Sequence, residues 1–254
     1  MRIRRSIAAG MRIAAGIVSY EGYHQPEANR QLLDLCGRAL QAAAERGADM
    51  VCFPAGYLFA SGEDERDRLA QRAAGAAERF AVGVALGIDL SVKKLGTDYR
   101  QRIRENRLPW FVACWSPEER VLHRWRQRST NNRDCRAASD RTCAEHRTLQ
   151  LPGGNVEILM CGEVFNPRIR TSIANRRHDI RAVVDLGHQS EGFRVFQGMK
   201  ALSRRGLVTL CSVHTARSHG QKYRYDPGGI RLSSRKADVS LGNQPRIELK
   251  IWDV

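Results

Sequence analysis

Several kinds of residue or segment are scarce in this sequence, and each shortage excludes a class of protein. Aromatic residues make up 7% of the 254 residues, and no apolar run is long enough to cross a membrane. The apolar stretches in residues 1–20 are short and interrupted by Arg12, so we expect neither a signal peptide nor a membrane span there. The seven cysteines have no regular spacing, and several lie in apolar runs, so we expect reduced thiols in a cytoplasmic protein.

Repeats and linkers are also missing, which favours a single large core. The stretches "MRIRRSIAAG" and "MRIAAG" look alike, so we interpret residues 1–10 as an extension and residues 11–254 as one domain. No P-loop lysine follows the glycines near residue 153, and those glycines indicate a turn. We expect no cofactor and no resident metal.

Acidic residues are few relative to basic ones: 27 Asp and Glu against 42 Lys and Arg give a formal charge of +15. Such a charge attracts polyanions without a specific site. Residues 92–148 combine many arginines with Tyr and Trp, and "HRWRQR" supplies Arg124, Arg126 and Arg128 as candidates for binding nucleic acid. The alternative is a solvated basic surface, which the lack of a nucleic-acid-binding motif favours.

The hydrophobic pattern alternates between strands and helices. Helical spacing predicts a helix over 26–47 and composition predicts one over 63–80, and two more are expected at 167–176 and 192–206. Short apolar runs predict strands at 11–19, 50–56, 81–89, 180–187 and 207–213. Two hairpins are expected, one joining 110–116 to 120–128 and one turning at "PGGN", and "GGIRLS" and "PRIELKIWDV" resemble closing strands. The chain is therefore predicted to be α/β with mixed strand pairing.

Three stretches in this order resemble the nitrilase or carbon-nitrogen hydrolase superfamily. "GADMVCFPAGY" is similar to the strand that ends in Phe-Pro-Glu, "EILMCGEVFNP" to the strand that ends in the nucleophilic cysteine, and "KALSRRGLVTLCSV" to the helix and strand that follow. The resemblance extends from about residue 11 over nearly the whole chain. It implies a four-layer αββα sandwich with mixed sheets and active-site residues at strand ends.

Family members hydrolyse amides, carbamoyl groups or nitriles with a Glu-Lys-Cys triad, and this sequence departs from it. The resemblance places Cys161 at the nucleophile, but Ala55 stands at the glutamate position and Gln127 at the lysine position. Glu163 resembles an acid that many members carry just after the cysteine. A thiol needs a base or a nearby cation to become nucleophilic near neutral pH, so the inherited reaction is not expected to run.

Other residues near predicted strand ends offer substitutes. His188 and His214 each follow a strand, and either could form a dyad with Cys161, oriented by Glu163, with the Gly162 amide as an oxyanion donor. Gly162 is also expected to permit the unusual backbone angle of an elbow. Alternatively, the two histidines are polar caps in loops, which we favour. A metal site from Cys161, Glu163 and both histidines follows no established spacing.

Two classes of function follow. The favoured one is a nitrilase-like protein that has lost its triad and binds a ligand, a protein or nucleic acid. The alternative is a diverged thiol-dependent hydrolase of carbon-nitrogen bonds. A third possibility, which only the resemblance suggests, is a component of bacterial antiphage defence associated with a reverse transcriptase. The resemblance also implies a homodimer or larger symmetric assembly, and no membrane partner is expected.

Overall fold

A computed structural model describes residues 10–19, 25–91, 99–130, 135–187, 192–215, 237–243 and 245–254. Their helices and strands alternate, as the hydrophobic pattern predicts. In chain order they are β1 (Arg12–Ser19), α1 (Asn29–Glu45), β2 (Met50–Cys52), β3 (Leu58–Ala60), α2 (Glu63–Phe80), β4 (Gly83–Leu90), α3 (Tyr99–Arg104), β5 (Trp110–Trp115), β6 (His123–Arg126), α4 (Asp140–Ala144), β7 (Thr148–Leu151), β8 (Gly154–Met160), α5 (Pro167–Asn175), β9 (Ala182–Leu186), α6 (Gly192–Ser203), β10 (Val208–Thr215), β11 (Val239–Leu241) and β12 (Arg246–Asp253).

The strands form one continuous mixed sheet in the order β6-β5-β4-β2-β1-β10-β9-β8-β7. The central neighbours are parallel, whereas β5 and β6 at one end and β7 and β8 at the other form antiparallel hairpins. Strand β12 runs antiparallel along all of β1, and β11 pairs with β12. Both predicted hairpins and the closing strand at "PRIELKIWDV" are therefore confirmed, while "GGIRLS" lies outside the described residues.

The two halves of the sheet face each other across an apolar interior. Residues of β2, β4 and β5, such as Cys52 and Val112, share one buried cluster with residues of β8 and β9, such as Ile158 and Val184. Strands covered on both faces are expected to be apolar throughout, which explains their unbroken hydrophobic runs.

Helices cover the outer faces of both halves. Leu32, Cys36, Ala39 and Leu40 of α1 recur at helical spacing and pack with residues of α2 against β1, β2 and β4. On the other side, buried residues of α5 and α6, including Ile169 and Met199, pack against β8 and β9. The layers are therefore helix, sheet, sheet, helix, and the predicted αββα sandwich is confirmed.

Short elements are the main additions to the predicted set. The strands β3 and β11, each three residues long, and the helices α3 and α4 were not predicted from the hydrophobic pattern. Segments of three to six residues are too short to show a period, so only their tertiary contacts define them.

Candidate functional site

Cys161 lies where β8 ends and a short 3-10 turn, Cys161–Phe165, begins. Its φ of +43° is in the left-handed region, which costs a non-glycine residue on the order of 1–2 kcal/mol. The side chain is partly exposed and packs against the interior cluster that contains Ala55. The sharp turn predicted at this strand end is therefore present, and its strained residue is the cysteine itself.

Gly162 has a different role from the one expected. The positive φ belongs to Cys161, whereas Gly162 allows a close approach of backbones: a Cβ at Gly162 would overlap the carbonyl oxygen of Thr130. The segment after β6 therefore lies directly against the turn that follows Cys161. A side chain at residue 162 would push the two segments apart.

Glu163 is completely buried, and cationic and backbone donors surround its carboxylate. One oxygen accepts hydrogen bonds from the Arg128 backbone N–H at 2.5 Å and from Arg147 Nη1 at 3.0 Å. The other accepts from Arg128 Nη2 at 3.1 Å and from the Met160 backbone N–H at 3.2 Å. The carboxylate thus joins the strand end before Cys161 to the segment after β6.

These contacts keep Glu163 ionised. Burial alone would raise the pKa of this carboxyl group, but the positive charges of Arg128 and Arg147 and the hydrogen bonds from Arg128 lower the pKa below its ordinary value. In the sequence, Glu163 was expected to orient a catalytic histidine. In the structure, its four hydrogen bonds orient two backbone segments instead.

The structure corrects the prediction that Arg128 contributes to a nucleic-acid-binding surface. Its side chain is 1% exposed, because the guanidinium binds Glu163 and the Glu145 carbonyl. The alternate arginines of "HRWRQR" suggested that all three lie on one basic surface. However, β6 ends at Arg126, and the chain then turns inward.

Arg124 and Arg126 remain near the surface, but acids of α2 pair with both. Arg124 Nε lies 3.0 Å from Asp67 Oδ1, and Arg126 Nη2 lies 3.2 Å from Glu63 Oε1. The Arg126 guanidinium also stacks 4.2 Å above the Phe111 ring. These two arginines therefore connect β6 to α2, and part of their charge is neutralised.

Ala55 and Gln127, at the positions that the sequence resemblance assigned to the glutamate and the lysine, are both buried and engaged with the protein. The Ala55 methyl group has no exposure, and Gly87 gives it room, because a Cβ at Gly87 would overlap the Ala55 backbone. Gln127 is 4% exposed, and its Nε2 donates to the Ser129 carbonyl at 2.6 Å. The side chains at these positions carry no charge.

His214, near the end of β10, is 6% exposed and lies beside the Ala55 backbone. Its Nε2 is 3.0 Å from the Ala55 carbonyl oxygen, and a carbonyl can only accept, so Nε2 carries the proton in this contact. The buried position resembles a structural histidine more than the loop cap we favoured. His188 lies outside the described residues.

Sequence reasoning missed four polar residues close to this site. Asp185 of β9 is fully buried and pairs in the sheet with Cys211 of β10, whose thiol donates to Asp185 Oδ2 at 3.8 Å. Burial and, secondarily, the negative charge of Glu163 raise the pKa of Asp185 to about 8. Ser129 and Thr130 follow Gln127 and carry buried hydroxyl oxygens. The aspartate inside an apolar strand was the one detectable signal.

The described ranges lack two further kinds of feature, a metal-binding cluster and a membrane-spanning helix. They contain no group of three or more His, Cys, Asp and Glu side chains placed to hold a metal ion. The helices in this part of the chain are all too short or too polar to cross a membrane. Six cysteines in this part of the chain have free thiols: Cys36, Cys52, Cys114, Cys143, Cys161 and Cys211.

Solved structures of an amidase from Nesterenkonia sp. are similar to this chain. One has a TM-score of 0.62 at 16% identity, with 97% of this chain and 90% of that chain covered. A cysteine-to-serine variant of the same amidase, described as a member of the nitrilase superfamily, has a TM-score of 0.62 at 16% identity, covering 98% and 93%. A glutamate-to-glutamine variant, with acrylamide added to its active-site cysteine, has a TM-score of 0.61 at 16% identity, covering 96% and 93%.

Sequence comparisons add no closer relative. No protein-family model matches the chain, and no curated protein matches it significantly. Similarity at 16% identity establishes the arrangement of the backbone only. The chemistry depends on which residues are present at the site. The layers, the strand order and these structural matches agree, and the chain has the nitrilase-superfamily fold.

Proposed function

We propose that this protein no longer catalyses the amidase or nitrilase reaction and instead binds a small ligand beside Cys161. The observation that carries the proposal is Ala55, a fully buried methyl group at the position where the family resemblance puts the general base. Gln127 supports it, since a neutral amide bonded to the Ser129 carbonyl replaces the cationic lysine.

The chemistry of the lost reaction explains why these two changes matter. Attack on an amide carbon requires a group that removes the thiol proton and a group that stabilises the negative charge developing on oxygen. A methyl group accepts no proton, and a glutamine carries no charge. Glu163 does not compensate, because two arginines and two backbone amides hold its carboxylate.

A small ligand fits the site better than nucleic acid does. Arg128 is buried in an ion pair, and Arg124 and Arg126 are paired with acids, so these three candidates offer little free charge to phosphates. The turn at Cys161, by contrast, is retained at the cost of a strained backbone angle. Strain of this kind is concentrated at functional sites.

A diverged hydrolase is the second candidate, and the position of His214 favours it. The imidazole contacts the backbone of Ala55, so it lies next to the position of the missing glutamate. An imidazole in this position is a chemically suitable base for Cys161. In this alternative His214 replaces the lost acid.

The first prediction is that the protein releases no ammonia from acetamide above the level of a Cys161→Ser variant. Adduct formation is a separate readout, because glutamine and leucine variants of the Nesterenkonia amidase carry covalent adducts at their active-site cysteine. Intact-mass measurement with fluoroacetamide therefore reports thiol reactivity, and a coupled ammonia assay reports turnover. Ammonia release that depends on both Cys161 and His214 would establish the hydrolase and refute the proposal.

The second prediction concerns assembly. We expect a homodimer or a larger symmetric oligomer, as the resemblance implies, since closed symmetric assemblies are the commonest oligomers of a single chain. Light scattering at micromolar concentration should give at least twice the 28.6 kDa of one chain. A mass of one chain throughout that range would contradict this expectation.

A further inference from the structure

Two buried hydroxyl groups lie in the segment whose backbone contacts the turn after Cys161. Ser129 is fully buried, and its Oγ makes no hydrogen bond within the part of the chain that the structure describes. The hydroxyl oxygen of Thr130 is also buried and has no such partner there. Buried hydroxyls in proteins usually have a protein or water partner, because burial without one costs on the order of 1–3 kcal/mol.

The position of these hydroxyls connects them to the site. They follow Gln127, whose side-chain amide holds the Ser129 carbonyl, so the backbone of this segment is fixed. The Thr130 backbone lies against Gly162, the residue after Cys161. Ser129 and Thr130 therefore belong to a segment that lies against the turn bearing the thiol.

We propose that Ser129 and Thr130 are the residues that position the ligand at Cys161, and that they select an uncharged molecule. The inference rests on the proposed binding function and adds the group that recognises the ligand. Hydroxyls both donate and accept, so they suit a neutral group that contains a carbonyl oxygen and an N–H or O–H. Neither residue is part of the Glu-Lys-Cys triad.

Charge explains the selection of a neutral ligand. The two buried arginines near this segment, Arg128 and Arg147, already bind Glu163, and Arg147 also binds Glu145 at 2.9 Å. Ala55 and Gln127 add no charge. An anion at this site would lose its hydration without gaining a cationic partner, which is costly in a buried environment.

The test uses a matched pair of probes, neutral iodoacetamide and anionic iodoacetate. In each case the Cys161 sulfur forms a bond to the methylene carbon, the carbon–iodine bond breaks, iodide leaves and the thiol proton goes to the buffer. Peptide mapping by mass spectrometry isolates the rate at Cys161 from those at the other cysteines, and rates with free glutathione correct for the intrinsic reactivity of each probe.

The expected result is saturation with iodoacetamide and none with iodoacetate. Ser129→Ala should raise the half-saturating concentration of iodoacetamide about fivefold to tenfold, because roughly one hydrogen bond is lost. The limiting rate should change less than about twofold. Thr130→Val should act in the same direction. Ser116→Ala is the control, since Ser116 is an equally buried serine whose oxygen accepts from the Glu119 backbone N–H, and it should leave both constants unchanged.

Two outcomes would overturn the inference. One is an unchanged half-saturating concentration in Ser129→Ala with a lower melting temperature, which would mean that the hydroxyl only holds a buried water. The other is that iodoacetamide and iodoacetate alkylate Cys161 equally well once their rates are corrected for their rates with glutathione. Neither depends on ammonia release, so failure of this inference is separate from failure of the proposed function.

Discussion

Glu163→Gln is expected to lower the free energy of unfolding by about 3–5 kcal/mol, as the loss of one partner in a buried ion pair does. The substitution keeps the shape of the side chain but removes its charge. Arg128 and Arg147, which are 1% and 2% exposed, would then be buried without the carboxylate that both of them bind. Urea denaturation at neutral pH measures the change.

The matched control is Glu145→Gln. Glu145 also pairs with Arg147, at 2.9 Å, but its side chain is 44% exposed, so water can replace the interaction. We expect Glu145→Gln to lower the free energy of unfolding by less than about 1 kcal/mol, as the loss of other exposed ion pairs does. Equal losses for the two variants would show that the buried carboxylate does not hold the turn together.

A second consequence of Glu163→Gln concerns Cys161. The carboxylate accepts from the Met160 N–H immediately before the cysteine and from the Arg128 N–H, so it fixes both segments of the site. Weakening it should let the strained residue relax toward negative φ. The loss of saturable alkylation at Cys161 without global unfolding would report this local change.

Asp185→Asn is expected to stabilise the protein above neutral pH and to leave it nearly unchanged in acid. Burial and the neighbouring Glu163 raise the pKa of Asp185 to about 8, whereas an aspartate in the unfolded chain has a pKa of about 3.9. Between these values the folded protein binds one more proton than the unfolded chain. The free energy of unfolding therefore falls as the pH rises, by about 1.4 kcal/mol per unit, and this fall ends above the folded pKa.

Asparagine does not titrate, so the variant lacks this dependence. The difference in unfolding free energy between Asp185→Asn and the unchanged protein should grow by roughly 4 kcal/mol from pH 5 to pH 8. Measuring the difference also cancels the contributions of other buried acids such as Asp89, whose pKa burial likewise raises. Asp179→Asn, at an exposed position, is the control for the substitution itself.

A difference that stays constant from pH 5 to pH 8 would mean that Asp185 is ionised in the folded protein throughout. The Cys211 thiol, which donates to Asp185 Oδ2, would then be the first residue to test, because that hydrogen bond lowers the pKa of the carboxyl group. Cys211→Ala removes this hydrogen bond and so separates its effect on the pKa of Asp185 from the effect of burial.

The sequence alone determined the elements with a clear period and the order in which they follow one another. Helices α1 and α2 were predictable because Leu and Ala recur on one face, and the β5–β6 and β7–β8 hairpins because turn residues separate short apolar runs. The order of these elements and three short resemblances were enough to predict the four-layer sandwich. The sequence also placed Cys161 at a sharp turn after a strand.

Only the tertiary structure decided what surrounds that turn. The basic run "HRWRQR" looked uniform, yet β6 ends at Arg126, so Arg124 and Arg126 meet acids of α2 while Arg128 enters the interior to bind Glu163. Likewise, no sequence pattern marks Ser129 as buried, and the only sign of Asp185 is its place inside an apolar strand. Their burial near the turn that bears Cys161 follows from packing between segments more than 20 residues apart, and local patterns of period two or 3.6 carry no information about such contacts.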